Sequence, residues 1–306
     1  MFIGHGLLAF AIAASVASRR GWSADRALTV GVVAALFGTL PDIDMAYALV
    51  GLVSGAEGLG SASDSFWAAA SLVHRTVTHS LVVGGLAAVG FAGWHAREHR
   101  HHLVGALAIL LGLLVVVTAV SGPLGGAMMV LFVAGGLAIV RVARSAGFGT
   151  TTVLLAAGLG LLTHPFGDLL TGTPPALLYP VDVTLIGERI TLIADPTLNL
   201  LGAFFVELAT LWIALLVYAR LRGWRVRALV QPRAALGAGY AVAVFAVPAP
   251  TLQLSWPFVF SVLGVGVIGA PLRWNRTRRV RWRTAATALT AVTLAALAYT
   301  VAYLLV

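Results

Sequence analysis

Along this chain, apolar stretches of about 20 residues follow one another, separated by short polar breaks. Ten can be counted, at 2–18, 26–53, 66–94, 103–121, 124–142, 150–170, 197–220, 234–247, 256–273 and 284–306. A hydrocarbon core of about 30 Å takes roughly 20 helical residues, whereas a barrel strand would show about ten alternating ones. The pattern predicts an all-α, polytopic transmembrane helical bundle of about ten spans, within a range of eight to ten. The eighth stretch is the weakest, being short and ended by Pro248 and Pro250. No internal repeat and no soluble domain interrupts the series.

Composition agrees with that class. The 306 residues are 59% hydrophobic and 10% charged, with a mean hydropathy of +0.96. A soluble domain carries about 25% charged residues. The formal charge is +9, and every basic residue is arginine. In a soluble chain that balance would suggest nucleic acid. Here the arginines fall in breaks between apolar stretches, so they orient the chain in the membrane and no nucleic-acid partner is expected. Arg19, Arg20 and Arg26 follow the first stretch, Arg97 and Arg100 the third, and Arg141 and Arg144 the fifth. Arg220, Arg222, Arg225, Arg227 and Arg233 follow the seventh, and Arg273, Arg276, Arg278, Arg279, Arg281 and Arg283 the ninth. The alternate breaks, 54–65, 122–123 and 248–255, lack arginine, and 172–196 holds only Arg189. The positive-inside rule makes the arginine-rich breaks cytoplasmic and both termini external, in a multi-pass protein of the cell membrane. The small residues Ala14–Ser18 resemble a signal-peptide cleavage site, but no basic residue precedes the apolar run, so a retained first helix is expected.

Against this background the polar residues inside the apolar stretches stand out. They are His5, Asp42, Asp44, His74, His79, His164 and Asp168, with the tightest groups in Pro41–Asp44, His74–Ser80 and His164–Asp168. Ionisable groups in membrane segments are costly unless paired or metal-bound, and so mark function. With no cysteine, the available metal donors are imidazole and carboxylate, which suit zinc, manganese or magnesium. On the arginine map all seven fall in the external half of their stretches, which points to one site near the outer water–lipid boundary.

His164 and Asp168, four apart, share a helix face and can hold one ion together. The competing reading is a buried polar pair joining two helices. Asp42 and Asp44 cannot share a regular helix face, but can flank an ion if Pro41 makes the helix irregular; otherwise they mark a helix end facing water. His74 and His79 are five apart and off register, so one is expected before the helix and one in its first turn. Thr76, Thr78 and Ser80 are candidate capping or supporting hydroxyls. Arg75 suits an anionic, above all a phosphate, substrate; its alternative role is a flanking arginine. His95, His99, His101 and His102 stand among arginines and read as a solvated basic loop. Glu207 either lines the cavity or bonds a neighbouring helix. Asp195-Pro196 reads as a helix N-cap and first position.

Gly4-His5, Leu40–Asp44, His74–Ser80 and the stretch from His164 to Thr171 occur in an order that resembles the YdjM-like family of integral-membrane, predicted metal-dependent hydrolases. The segment 172–180, ending Leu177-Leu178-Tyr179-Pro180, is similar to that family's Pro/Gly-rich segment. The resemblance covers roughly residues 1–200, with one departure: Met45 stands where the family often has histidine. It implies a membrane-embedded metal-dependent hydrolase domain over 1–200 and additional C-terminal transmembrane helices over 201–306. It implies a divalent metal, zinc first, held by His5, Asp42, Asp44, His74, His79, His164 and Asp168, with Asp44 and Arg75 assigned to the chemistry. Seven ligands exceed the three that a catalytic zinc takes, so two ions sharing an aspartate is the economical expectation. Membrane lipids are the expected surroundings, and a phosphoester, including a phospholipid, the expected substrate, with Arg75 and Arg189 available to hold phosphate. The alternative is a metal-ion or proton transporter using the same Asp and His residues. A purely structural scaffold is a third reading.

Overall fold

The computed structural model describes residues 3–53, 59–269 and 278–306. Every regular element among them is helical. The chain divides into two compact units, Met1–Arg189 and Ile190–Val306. Part of the 54–65 break, and Arg273 and Arg276 of the basic break, lie outside the described residues.

The first unit begins with α1 (Gly4–Arg19) and α2 (Ala24–Thr39), the latter capped by Ser23, whose side chain accepts from Arg26 N. The two helices approach through small residues. A Cβ on Gly38 would lie 3.2 Å from the Cα of Gly6, and one on Gly31 would strike the ring of Phe10. Small residues let apolar helices approach to backbone distance, which is how helices associate in a medium as apolar as themselves. Pro41 then breaks the ladder. Residues Pro41–Tyr47 form a 3-10 turn with i to i−3 bonding, as in Ile43 N to Leu40 O, and α3 (Ala48–Val53) resumes at a bend of 48°. Here the irregularity expected around Asp42 and Asp44 is present.

The third predicted span is not continuous. α4 (Leu59–Ser71) and α5 (Leu81–His95) are separated by an irregular segment over 72–80. Its sequence explains the break. Arg75 adopts a left-handed φ of 66°, and Thr76 Oγ1 bonds back to Val73 O. Ser80 Oγ accepts from Val82 N and Val83 N and so starts α5. Spans four and five together form α6 (Arg100–Ser145), interrupted at Gly122, where φ is 69° and ψ −171°, just before Pro123. The chain folds back there. A Cβ on Gly126 would meet Thr118 Oγ1 at 2.4 Å, although eight residues of straight helix span about 12 Å. Both arms pack on α5, Leu110 against Gly90 and Gly136 against the Phe91 ring. Last in this unit comes α7 (Thr150–Asp168), which Gly160 brings to 2.5 Å of the Gly38 amide, measured from a built Cβ.

The second unit holds α8 (Pro196–Leu221), a 3-10 stretch Pro232–Phe245, α9 (Trp256–Gly264) and α10 (Arg278–Leu305). Asp195 caps α8 as expected, its Oδ1 accepting from Leu198 N at 2.8 Å with Pro196 in the first turn. Phe258, Val262 and Tyr299 centre its core. The predicted eighth span is thus 3-10 rather than α-helical.

The structure bears out an all-α fold, and its described helices supply fewer clear candidate spans than the ten apolar stretches. Three described helices, Arg100–Ser145, Pro196–Leu221 and Val280–Leu305, are long and apolar enough to cross a membrane, or four with the bent pair Ala24–Thr39 and Pro41–Val53. The shortfall has local causes: the 72–80 break divides the third stretch, and α1, α2 and α5 have only 16, 16 and 15 residues.

Within the first unit the polar chemistry divides between two ends. Arg19, Arg20, Arg26, Arg97, Arg100 and Arg144 belong to one. Arg26 lies over the rings of Trp22 and Phe148, and Arg144 pairs with Glu98. His5, the Pro41 break, the 72–80 segment and the C-terminus of α7 make up the other.

Candidate metal centre

Four short segments meet at that second end. α1 brings His5 in its first turn, the 3-10 turn brings Asp42 and Asp44, the 72–80 segment brings His74, Arg75 and His79, and the last turn of α7 brings His164 and Asp168. All seven residues singled out in the sequence therefore lie together, although His5 and Asp168 are far apart along the chain. His79, His164, Asp44 and Asp168 are buried, while the Asp42 side chain keeps 15% exposure and that of His74 10%.

Two groups of donor atoms can each hold an ion: Asp42, His79, His164 and Asp168, and Asp44, His74 and His79. In the first, His79 Nε2 is 3.2 Å from Asp168 Oδ2 and 3.5 Å from Asp42 Oδ1. His164 Nε2 is 3.4 Å from Asp42 Oδ1 and 3.7 Å from Asp168 Oδ2. Donors at ~2.1 Å from a tetrahedral ion stand about 3.4 Å from one another. The spacings bracket that value, and all but the shortest exceed the usual hydrogen-bond range. Consistently, His5 Nε2, His79 Nε2 and His164 Nε2 are buried and make no hydrogen bond. A buried polar atom without a hydrogen bond is expensive, and those of His79 and His164 beside Asp42 and Asp168 fit a divalent cation.

The opposite nitrogens of His164 and His79 are engaged, and that orients both rings. His164 Nδ1 lies 2.7 Å from Gly38 O, a carbonyl acceptor, so Nδ1 carries the proton and Nε2 a lone pair. His79 Nδ1 faces Asp44 Oδ2 at 3.5 Å and Thr78 Oγ1 at 3.0 Å, and the Thr78 hydroxyl donates to the same Asp44 oxygen at 2.7 Å. The two groups thus share His79 through opposite nitrogens. In the second, His74 Nδ1 is 2.9 Å from Asp44 Oδ1, a hydrogen-bond distance shorter than the separations in the first group.

His5 packs its ring on that of His164, centroids 4.0 Å apart, with Nε2 3.3 Å from Asp168 Oδ1. The two oxygens of Asp168 serve different neighbours. Oδ2 faces His79 and His164, while Oδ1 faces His5 and takes Arg75 Nη2 at 3.2 Å. The Arg75 guanidinium also bonds Thr171 O, Thr173 O at 3.0 Å and Thr171 Oγ1 at 3.0 Å, closing the carbonyl end of α7. Both terminal nitrogens are therefore occupied, and the two-pronged phosphate grip expected from the sequence is not what they form here. Nε–H is buried and makes no hydrogen bond.

The 171–180 segment braces this assembly. Ala176 N donates to Arg75 O at 3.0 Å, Leu81 N to Leu177 O at 2.8 Å, and Ser80 Oγ to Tyr179 O at 2.6 Å. The hydroxyls expected in supporting roles divide. Thr78 and Ser80 have such roles, whereas Thr76 bonds only its own turn. Sequence reasoning did not find the Gly38 carbonyl or the Thr171 contacts to Arg75. A glycine one turn before His164 was the available sign of a close crossing at Gly38. Met45 follows Asp44 in the 3-10 turn and belongs to neither donor group. His99, His101 and His102 are exposed, His95 Nδ1 meets Thr150 Oγ1 at 3.1 Å, and Arg189 is exposed. Glu207 lies in α8 of the second unit, and none of these residues is in either donor group.

Comparison with known proteins adds one match. The family model described as the YdjM inner membrane protein matches residues 1–249, which extends past the 1–200 covered by the motifs. No curated protein and no solved structure matches the chain. The match spans all four ligand segments, and on it the chain belongs to the YdjM inner membrane protein family.

Proposed function

We propose that this membrane protein is a divalent-metal-dependent hydrolase, with one ion held by Asp42, His79, His164 and Asp168 and a phosphoester as substrate. The observation that carries the reading is the pair of buried Nε2 atoms of His79 and His164 that make no hydrogen bond, aimed by engaged Nδ1 atoms at two carboxylates. Zinc fits the donor set and its near-tetrahedral spacing, and manganese fits the donor chemistry. A bound divalent ion supplies Lewis acidity, which makes water a nucleophile near neutral pH. The residues around it do the rest. Asp44 accepts from His74 Nδ1 and so leaves His74 Nε2, on the partly open side, to exchange a proton with water or leaving group. Asp44 also backs His79, so it acts as a positioning residue for both rings. Arg75 holds Asp168 in place through Nη2. One ion with Asp44 and His74 behind it accounts for six of the seven residues without a second metal, and His5 stands behind Asp168 with Nε2 3.3 Å from Oδ1.

The test uses purified protein in detergent with zinc or manganese. Phosphomonoesters and phosphodiesters are offered with and without a chelator, and metal flux is followed in liposomes. Chelator-sensitive hydrolysis is expected, with His74→Gln retaining bound metal and losing at least ~10²-fold in rate. Flux without hydrolysis would replace this reading with the transporter. Loss of metal in His74→Gln would put His74 among the ligands and restore the two-ion alternative.

A further inference from the structure

We infer that the mouth of the metal centre opens below the lipid headgroups, so that its substrate arrives through the bilayer as an amphiphile with the polar linkage next to its acyl chains. The word substrate rests on the hydrolase reading; the position of the mouth does not. The first observation is length. α1 and α2 have 16 residues each and α5 has 15. Sixteen helical residues rise about 24 Å, against a hydrocarbon core of about 30 Å. The arginine end carries the marks of an interface. Arg26 lies 5.0 Å from the Trp22 ring centroid and Arg97 5.6 Å from that of Trp94, and tryptophan with arginine gathers at the headgroup level. With that end at one boundary, the ligands borne by α1, α2 and α5 stop roughly 6 Å short of the opposite boundary; His164, 15 residues into α7, is about as deep, Asp168 at the end of its 19 residues lies about 2 Å inside, and any tilt deepens them.

The second observation is what surrounds the ligands. Phe166, between His164 and Asp168, is 52% exposed, Ile3, two residues before His5, 61%, and Leu72, two before His74, 65%. Leu49 and Val50, just after the Asp44 turn, are exposed as well. Each ligand segment thus presents a large apolar side chain outward at the level of the site. In water such a rim would be an aggregation liability; in hydrocarbon it is the ordinary surface. Among the seven ligand candidates and Arg75, partial exposure falls on Asp42, His74 and Arg75, with Thr76 and Thr173 exposed beside them. A polar opening inside an apolar rim suits a ligand whose chains stay in lipid while one polar linkage enters.

The chain has no cysteine, so single labels are clean. Nitroxides at Phe166→Cys, Leu72→Cys and, as an aqueous reference, Ser145→Cys would be measured in phosphatidylethanolamine–phosphatidylglycerol vesicles. Collision with oxygen and with a water-soluble nickel chelate gives their depth. Phe166→Cys and Leu72→Cys should be oxygen-accessible and nickel-shielded, and Ser145→Cys the reverse. Nickel access at both rim positions equal to that at Ser145→Cys would overturn the proposal. Two positions guard against one substitution that fails to fold, and neither measurement needs turnover. The second arm compares a vesicle-borne diacyl phosphoester with its short-chain soluble analogue, and kcat/KM is expected to favour the former at least 100-fold. Equal turnover of the two would refute entry through the bilayer. No turnover of either, with both labels in hydrocarbon, would remove the hydrolase reading and uphold the lipid-facing mouth.

Discussion

Replacing Gly160 with alanine should weaken metal binding without touching any ligand. A Cβ there would lie 2.5 Å from Gly38 N and 2.7 Å from both Ala34 O and Phe37 C. All three are backbone atoms, so no side-chain rotation relieves the clash. A van der Waals separation near 3.5 Å requires α7 to retreat from α2 by roughly 1 Å. His164 is one turn further along α7, and its Nδ1 to Gly38 O bond is 2.7 Å long. A retreat of that size takes it to about 3.7 Å, outside hydrogen-bond range. Losing the outer partner of a ligating histidine typically costs 10–100-fold in metal affinity. The crowding itself costs about 1–3 kcal/mol of stability. Gly158 supplies the control, because a Cβ there meets nothing within 4 Å. Alanine in that helix interior should be neutral or gain about 0.5–1 kcal/mol. The assay is metal retained after dialysis against graded zinc buffers, read by elemental analysis, with thermal unfolding in the same detergent. Wild-type zinc affinity in a folded Gly160→Ala protein would refute the idea that this crossing aims His164.

Three further outcomes follow from the same geometry. His164→Ala and Asp168→Ala should each lose bound metal and hydrolytic activity together, while His101→Ala, in the exposed basic segment, changes neither; full metal content in His164→Ala would take that ring out of the centre. Arg75→Lys cannot span the Asp168 carboxylate and the Thr171 and Thr173 carbonyls at once, so metal affinity should fall about tenfold or more, and unchanged affinity and turnover would leave Arg75 as a flanking charge. Ser61→Cys should react with an impermeant thiol reagent on intact cells and Ser145→Cys should not; the opposite result would invert the orientation read from the arginines.

The sequence made the ligand segments legible because a histidine or aspartate in an apolar run has few neutral explanations. It also showed that Pro41 would spoil the helix around Asp42 and Asp44, and that Asp195 would cap α8. Its hydropathy alone could not separate α4 from α5. The residues that break that stretch, Arg75 with its left-handed backbone and Ser80 with its cap, act through conformation and hydrogen bonds. Nor could it assign Arg75, whose type permits a phosphate grip but whose partners are carbonyls nearly a hundred residues away. Main-chain acceptors carry no side-chain signature, and for that reason Gly38 O was missed as the partner of His164.

The scatter of the site along the chain also sets an order of events during synthesis. Asp42 and Asp44 leave the ribosome roughly 120 residues before His164 and Asp168, which at ordinary elongation rates is on the order of ten seconds. Through that interval the Pro41 turn has neither α7 nor the Gly38–His164 bond to hold it. Asp44 gains His74 and Thr78 about 30 residues on, but Asp42 still lacks His164, and an unpaired carboxylate in lipid costs several kcal/mol. The early helices are therefore expected to stay beside the insertion machinery until α7 emerges. On this account α7 acts as the closing piece, and ribosome-bound chains stalled before residue 150 should hold α1 and α2 next to the insertion machinery and retain no metal.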